Sequence, residues 1–350
     1  VTLRLVNPLI VSQSRDPATS GVALVDNINR LIIQVMAALA TGGAVVCSQF
    51  VGKGKEEGAK KSGAQLETVL LVFSVCMTLL SLIGTRGLLH AVFGNVSEDV
   101  MDSAVLYFTV TSLSFPFLGI YNAGAAIFRS IGNSKISMQI SLLMNVINIV
   151  GNAIFVFGFH WAVFGVALAT LLSRIVAGIV ITLLVCGKTN PIRIDKWSEL
   201  KPDGSIIKKI LAIGIPSGVE NGMFQIGKLA VTSMVATFGT ASIAANSVGY
   251  TVIDFANIPG NAMGLALITV VGQCIGAGEK KQAKQYTKKL VGLAYLGDWI
   301  CNIALFLLAG TIAKCFHLSP EAVRIAEQIL HCFAVTSLFI WPLSFTRSNA

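Results

Sequence analysis

Charge is what this sequence has least of. Asp, Glu, Lys and Arg make up 12% of its 350 residues, about half of the roughly 25% typical of a soluble domain, and that scarcity excludes an ordinary soluble enzyme. Acidic residues are the scarcer sign, 17 against 26 basic ones. The net charge of +9 would suit a nucleic-acid binder, but it sits in short clusters between long apolar runs. The seven cysteines, Cys47, Cys76, Cys186, Cys274, Cys301, Cys315 and Cys332, are odd in number and include no CxxC, so neither a disulfide framework nor a zinc site is signalled. A nucleophile elbow, a phosphate loop, HExxH and paired carboxylates at a usable spacing are all lacking, and with them the common catalytic constellations. No enzymatic activity is expected.

What the chain has is apolar length. Hydrophobic residues are 54% of the total, gathered into runs of about 20, each able to cross the ~30 Å hydrocarbon core as a helix. Cutting at charge clusters and Gly/Pro/Asn breaks predicts nine spans: 24–48, 65–86, 102–127, 136–158, 161–186, 210–238, 241–274, 289–313 and 325–346. Backbone groups in lipid must pair internally, and these runs lack the alternation of barrel strands. The expected fold is therefore an all-α integral membrane protein, a polytopic helical bundle.

Orientation follows from the Lys/Arg bias of short loops. Seventeen basic residues fall on one side: Lys53, Lys55, Lys60, Lys61, Arg129, Lys135, Lys188, Arg193, Lys196, Lys201, Lys208, Lys209, Lys280, Lys281, Lys284, Lys288 and Lys289. The alternate loops carry Arg86, Lys314 and Arg324. The loops near 52–62, 129–135, 187–209 and 276–289 are thus expected in the cytoplasm. Residues 1–21 hold Arg4, Pro8, Arg15, Asp16 and Pro17, too polar and broken to span.

The chain also repeats itself. Ser48-Gln49-Phe50-Val51-Gly52-Lys53-Gly54 matches Gly272-Gln273-Cys274-Ile275-Gly276-Ala277-Gly278 at an offset of 224, and Ala59-Lys60 matches Ala283-Lys284 at the same offset. Ser97 aligns with Ser319 at 222 and Pro116 with Pro342 at 226. Six helices separate the matching loops, so the copies share one orientation, as in transporters built from parallel repeats. The repeat predicts two pseudo-symmetric lobes of a twelve-helix transporter, with the first, eleventh and twelfth helices absent from this sequence. The expected division is 1–21 non-spanning, 22–187 first lobe, 188–209 cytoplasmic linker and 210–350 second lobe.

Ionisable groups inside spans are costly and mark function by default. Glu220 lies about ten residues into the sixth span, after Pro216 and Gly218, where a carboxylate can exchange a proton or a cationic solute. Lys228 and Asp254 stand at similar depths on consecutive antiparallel spans and are expected to face one another, since paired charges cost a membrane less than lone ones. Arg174, mid-span, has no obvious partner. Asn148 and Asn152 are four apart on one helical face, and Thr170 follows on the next span; their oxygens are hard ligands that can replace the hydration shell of Na⁺. The same residues serve equally as interhelical hydrogen-bonding glue. Pro116, Pro259 and Pro342 interrupt spans mid-membrane and are candidate hinges.

In these features the sequence resembles the multidrug and toxic compound extrusion (MATE) transporters over about residues 22–345. The carriers are Ala38-Leu39-Ala40-Thr41-Gly42-Gly43-Ala44-Val45-Val46-Cys47-Ser48-Gln49 with its Gly-Lys loop, Arg129-Ser130-Ile131-Gly132-Asn133-Ser134-Lys135, the Asn-rich fourth span, Gly165-Val166-Ala167-Leu168-Ala169-Thr170, and Ile215-Pro216-Ser217 leading to Glu220. The resemblance implies a two-lobed antiporter in the plasma (inner) membrane that expels cationic or amphiphilic drugs, with H⁺ or Na⁺ as coupling ion and no organic cofactor. It implies that Glu220 binds protons, Na⁺ or substrate, and that Asn148, Asn152 and Thr170 belong to a first-lobe cation site that could take Na⁺. The family often has Asp where Asn152 stands, and it adds an Asp from the first helix. It also often places an Asp in the tenth helix, where this sequence offers only Glu327. Expected partners are small cationic solutes and the lipid bilayer, with no nucleic acid, and the protein is expected to be a monomer. A lipid-linked oligosaccharide flippase of the same architecture is the alternative, for which Lys228 and Arg174 are few cations.

Overall fold

Hydrocarbon offers no partner to a peptide group, so each apolar segment must satisfy its own backbone. In the computed structural model it does so with helices alone. The structure describes residues 16–93, 97–187, 192–193, 201–316 and 319–337, and among them no strand occurs. Eleven α-helices follow one another in the described residues: α1 (Asp16–Gly52), α2 (Glu56–Phe93), α3 (Glu98–Ser112), α4 (Phe115–Ser130), α5 (Ser134–Asn152), α6 (Ala162–Val185), α7 (Gly204–Ala236), α8 (Thr240–Ala256), α9 (Ile258–Gly276), α10 (Lys280–Cys315) and α11 (Pro320–Ser337). A π-turn, Ala153–Gly158, extends α5.

Six of these segments are long and apolar enough to cross a membrane, and α3 with α4, bent by 46°, make a seventh as one broken span. The expected single span 241–274 is two helices that meet at Asn257. The cause is Pro259, which has no N–H for the carbonyl four residues earlier and whose ring crowds the preceding turn. The last expected span, 325–346, is described only as far as Ser337.

Which side chains face inward shows which solvent the fold is built for. On α10, Ile300 is 62% exposed and Leu307 74%, whereas Asp298 is 1% exposed and Asn302 2%. Polar groups inward and large apolar groups outward reverse the order of a water-soluble helix, and lipid is the solvent that makes the reversal favourable.

Contacts divide the chain into one unit ending at Asn221 and a second beginning at Gly222. In the first, α1 packs on α2, α3 and α4, while α6 packs on α4 and α5. Small residues bring these helices together, as expected where lipid supplies no hydrophobic drive between them. A methyl added to Gly119 would stand 2.7 Å from the Ser74 hydroxyl oxygen, and one added to Gly124 would run into Ile181. The start of α7 belongs here too, because Gly42 of α1 lies against the backbone of Ile210 and Gly214. In the second unit α8, α10 and α11 surround Ala256, Leu305, Ala309, Leu330 and Ala334. Beside them α9 and α10 run antiparallel from the turn at Gly278, whose φ of 84° suits glycine, and bury Leu267, Val271 and Ala283 between them.

Candidate cation sites

The first cluster grows from α5 and α6. Asn148 and Asn152 fall one turn apart on α5, and the π-turn that follows leads the chain back so that Thr170 of α6 comes alongside. Asn152 Nδ2 donates to Asn148 Oδ1 at 3.0 Å, Asn148 Nδ2 donates to Thr170 Oγ1 at 3.1 Å, and the Thr170 hydroxyl donates to the Val166 carbonyl at 2.9 Å. All three side chains are buried. The result is a directed chain of hydrogen bonds ending on backbone, with amide and hydroxyl oxygens that each keep lone-pair capacity for a further donor or a cation.

A second polar cluster in the same unit lies, apart from Arg174, outside the residues singled out from the sequence. Asp26 of α1 accepts from the Tyr107 hydroxyl of α3 at 3.2 Å, and Asn29, nearly one turn on, donates to Thr111 at 3.5 Å. Arg174 of α6 donates to the Ser114 hydroxyl at 2.7 Å, at the break between α3 and α4. Asp26 feels the charges of Arg30 and Arg174, so the arginine left partnerless by sequence reasoning belongs to a network of four helical segments. Asp26 and Arg30, four apart at the head of the first span, were the legible signal for it.

Glu220 stands one turn beyond Pro216 on α7 and is exposed. On the same helix the Lys228 ammonium lies 5.2 Å from the centre of the Phe224 ring and 5.5 Å from that of Tyr250 on α8, close enough for cation–π attraction. Asp254, half-buried, follows Tyr250 by one turn and shares its face of α8. Pro116 and Pro259 each occupy the first turn of a new helix, α4 and α9, where a missing N–H costs nothing. Pro342 lies outside the described residues.

The second unit holds a buried carboxylate that sequence reasoning passed over, Asp298. Its Oδ1 accepts from the Gly260 amide at 3.0 Å, just past Pro259. Glycine is required there, since an added methyl would stand 2.8 Å from Oδ2. A lone acid deep inside the eighth predicted span was the available signal. Among the described residues no three His, Cys, Asp or Glu side chains gather as a metal site.

At the membrane edge Lys61 of α2 and Asp203 form an ion pair at 2.5 Å. Gln65 donates to the Lys201 carbonyl at 2.8 Å and accepts from the Asp203 amide at 2.9 Å. Asp203 in turn caps α7, taking the Ser205 amide at 2.9 Å and its hydroxyl at 2.7 Å. The Lys61 ammonium, helped by Ser205, holds the Asp203 carboxyl well below the usual carboxylate range.

One family model, MatE, matches the chain twice, over residues 2–154 and 216–348. The chain belongs to the MatE family. The double match makes this MatE protein two related halves. It is 24% identical over 306 residues to the probable multidrug resistance protein YoeA of Bacillus subtilis, covering 86% of this chain and 66% of that relative. The probable multidrug resistance protein NorM of Thermotoga maritima is 24% identical over 330 residues, 92% of this chain and 70% of the relative. The multidrug export protein MepA of Staphylococcus haemolyticus is 25% identical over 250 residues, 71% of this chain and 54% of the relative. The chain thus spans about two thirds or less of the length of YoeA and MepA. Among solved structures, MATE in complex with MaL6 superposes with a TM-score of 0.92 at 22% identity, over 99% of this chain and 78% of that one. An outward-facing multidrug resistance MATE family transporter of the MOP superfamily gives 0.92 at 21%, over 99% and 77%. The likeness in structure fixes the fold as that of a multi-pass helical membrane protein.

Proposed function

We propose that this MatE protein is a secondary active antiporter that exports cationic or amphiphilic drugs in exchange for H⁺ or Na⁺. The observation that carries the reading is the buried chain Asn152–Asn148–Thr170, closed by hydrogen bonds of 3.0 and 3.1 Å, in a protein whose relatives are named for multidrug resistance or multidrug export. A hydrogen-bonded amide pair and hydroxyl between two apolar helices can take up a cation through their free lone pairs, and cation uptake biases a transporter only if one state binds it better. Glu220, exposed on α7, supplies a carboxylate for a proton, Na⁺ or cationic cargo. Lys228 and Asp254 set the charge on the facing parts of α7 and α8 in the second unit. The breaks at Pro116 and Pro259, with Pro342, serve as hinges for alternating access. The protein works as a monomer in the plasma membrane, with the Lys-rich loops near 52–62, 129–135, 187–209 and 276–289 in the cytoplasm. It is a transporter and not an enzyme.

The test is efflux of a fluorescent cationic dye from energised cells that lack their own pumps. It compares this chain, the chain carrying flanking helices from a related transporter, and Glu220→Gln and Asn148→Ala in each. Efflux that collapses with the ion gradient and is lost in Glu220→Gln is the expected result. A folded, membrane-inserted extended protein that moves no dye overturns the drug-export reading.

A further inference from the structure

The break between α8 and α9 gathers acceptors without donors. Asp298 is buried, and while its Oδ1 takes the Gly260 amide at 3.0 Å, its Oδ2 accepts no hydrogen bond from the protein. One turn on, Asn302 is buried as well; its Nδ2 is committed to the Asp298 carbonyl at 2.8 Å, which orients the amide and leaves Oδ1 without a donor. Asn257, buried at the junction of the two helices, also has an unsatisfied Oδ1. Antiparallel register brings the three together. Gly260 faces Asp298 and Pro259 faces Gly297, so Asn257, a turn back along α9, stands level with Asn302, a turn forward along α10. Buried polar atoms are almost always paired, and three oxygens left over on two adjacent turns of facing helices mark a place built for something else.

What fits is decided by counting donors and charge. A proton on Asp298 would let Oδ2 donate to one amide oxygen and leave the other unpaired. A metal ion is a partner that acceptors can share without any of them needing a donor. One carboxylate supplies a single negative charge, which balances a monovalent ion, and carboxylate and amide oxygens are the hard ligands that replace the hydration shell of an alkali cation. The helix ends add no strong preference of their own, because the C-terminal end of α8 and the N-terminal end of α9 meet at the junction with opposed dipoles. We propose that Asp298, Asn302 and Asn257 form a Na⁺ site at the α8–α9 break, separate from the Asn148 cluster and independent of what cargo the protein carries.

The experiment measures thermal unfolding of purified protein in detergent as NaCl replaces choline chloride at constant ionic strength, together with binding of radioactive ²²Na⁺. The expected result is a saturable rise in unfolding temperature with Na⁺, absent in Asp298→Asn and persisting in Asn148→Ala. Asn302→Ala and Asn257→Ala, which keep the carboxylate, should bind ²²Na⁺ about tenfold more weakly or worse. If Asp298→Asn does not fold, these two variants decide the matter. The proposal is overturned if the unsubstituted protein neither gains stability with Na⁺ nor binds ²²Na⁺, or if binding survives undiminished in Asn302→Ala and Asn257→Ala. It is equally overturned if binding disappears only in Asn148→Ala. Dye efflux is not among these readouts, so failure here leaves the export reading standing, and the reverse.

Discussion

Arg174 donates to the hydroxyl of Ser114 at 2.7 Å, and so ties the middle of α6 to the point where α3 gives way to α4. The same guanidinium lies within electrostatic range of Asp26 and Tyr107, so that with Arg30 it supplies positive charge to a largely buried polar cluster. A buried charge pair adds little net stability, but removing one partner strands the other. Arg174→Leu is therefore expected to cost about 3 kcal/mol and Arg174→Lys distinctly less, read as the unfolding midpoint in detergent. Equal stability of Arg174→Leu and the unsubstituted protein would show that Arg30 alone compensates Asp26.

The hydrogen bond from Asn148 to Thr170 can be tested by removing its acceptor. Thr170→Val keeps the side-chain volume and leaves Asn148 Nδ2 without its 3.1 Å partner, at an expected cost of about 0.6–2 kcal/mol for an interhelical bond in a membrane. Thr170→Ser restores the hydroxyl and should recover most of it. A double-mutant cycle with Asn148→Ala measures the coupling directly, and a coupling near zero would remove this bond from the account.

Two glycines should respond to alanine with opposite signs. At Gly42 the new methyl would lie 2.5 Å from the Ile210 carbonyl oxygen, a backbone atom that cannot step aside; overpacking of this kind costs about 1–3 kcal/mol. At Gly292, inside α10, nothing lies within 4 Å, and the better helix propensity of alanine should stabilise by about 0.5–1 kcal/mol. The pair is measured by thermal unfolding of the two single variants, and destabilisation by Gly292→Ala would contradict the open space described there.

The ion pair of Lys61 with Asp203 has a defined pH signature. The folded carboxyl titrates below its unfolded value, so its contribution is complete above the ordinary aspartate range, near pH 4, and is lost as pH falls through the lower folded value. The stability difference between the unsubstituted protein and Asp203→Asn should be constant from pH 7 to about pH 5 and shrink steadily in stronger acid. Added salt should reduce it at every pH, because the pair is solvent-exposed. A difference that grows on acidification would reverse the sign argued here.

How much of this was legible beforehand depends on the range over which each physical cause acts. Apolar runs longer than the hydrocarbon core, basic clusters on alternate loops and the recurring Gly-Lys loop are local or periodic, so the sequence by itself determined an all-helical, multi-pass membrane protein of two related halves and its place in the MatE family. Four-residue spacing likewise put Asn148 and Asn152 on one face. Which helices bring their polar residues together is a matter of register between segments far apart in the chain. Only the tertiary structure decided that Thr170 completes the Asn148 chain, that Arg174 reaches Ser114, and that the span expected over 241–274 breaks at Asn257. It alone set the Gly260 amide against Asp298, because a carboxylate can approach a backbone that closely only where a neighbouring helix offers a residue with no side chain.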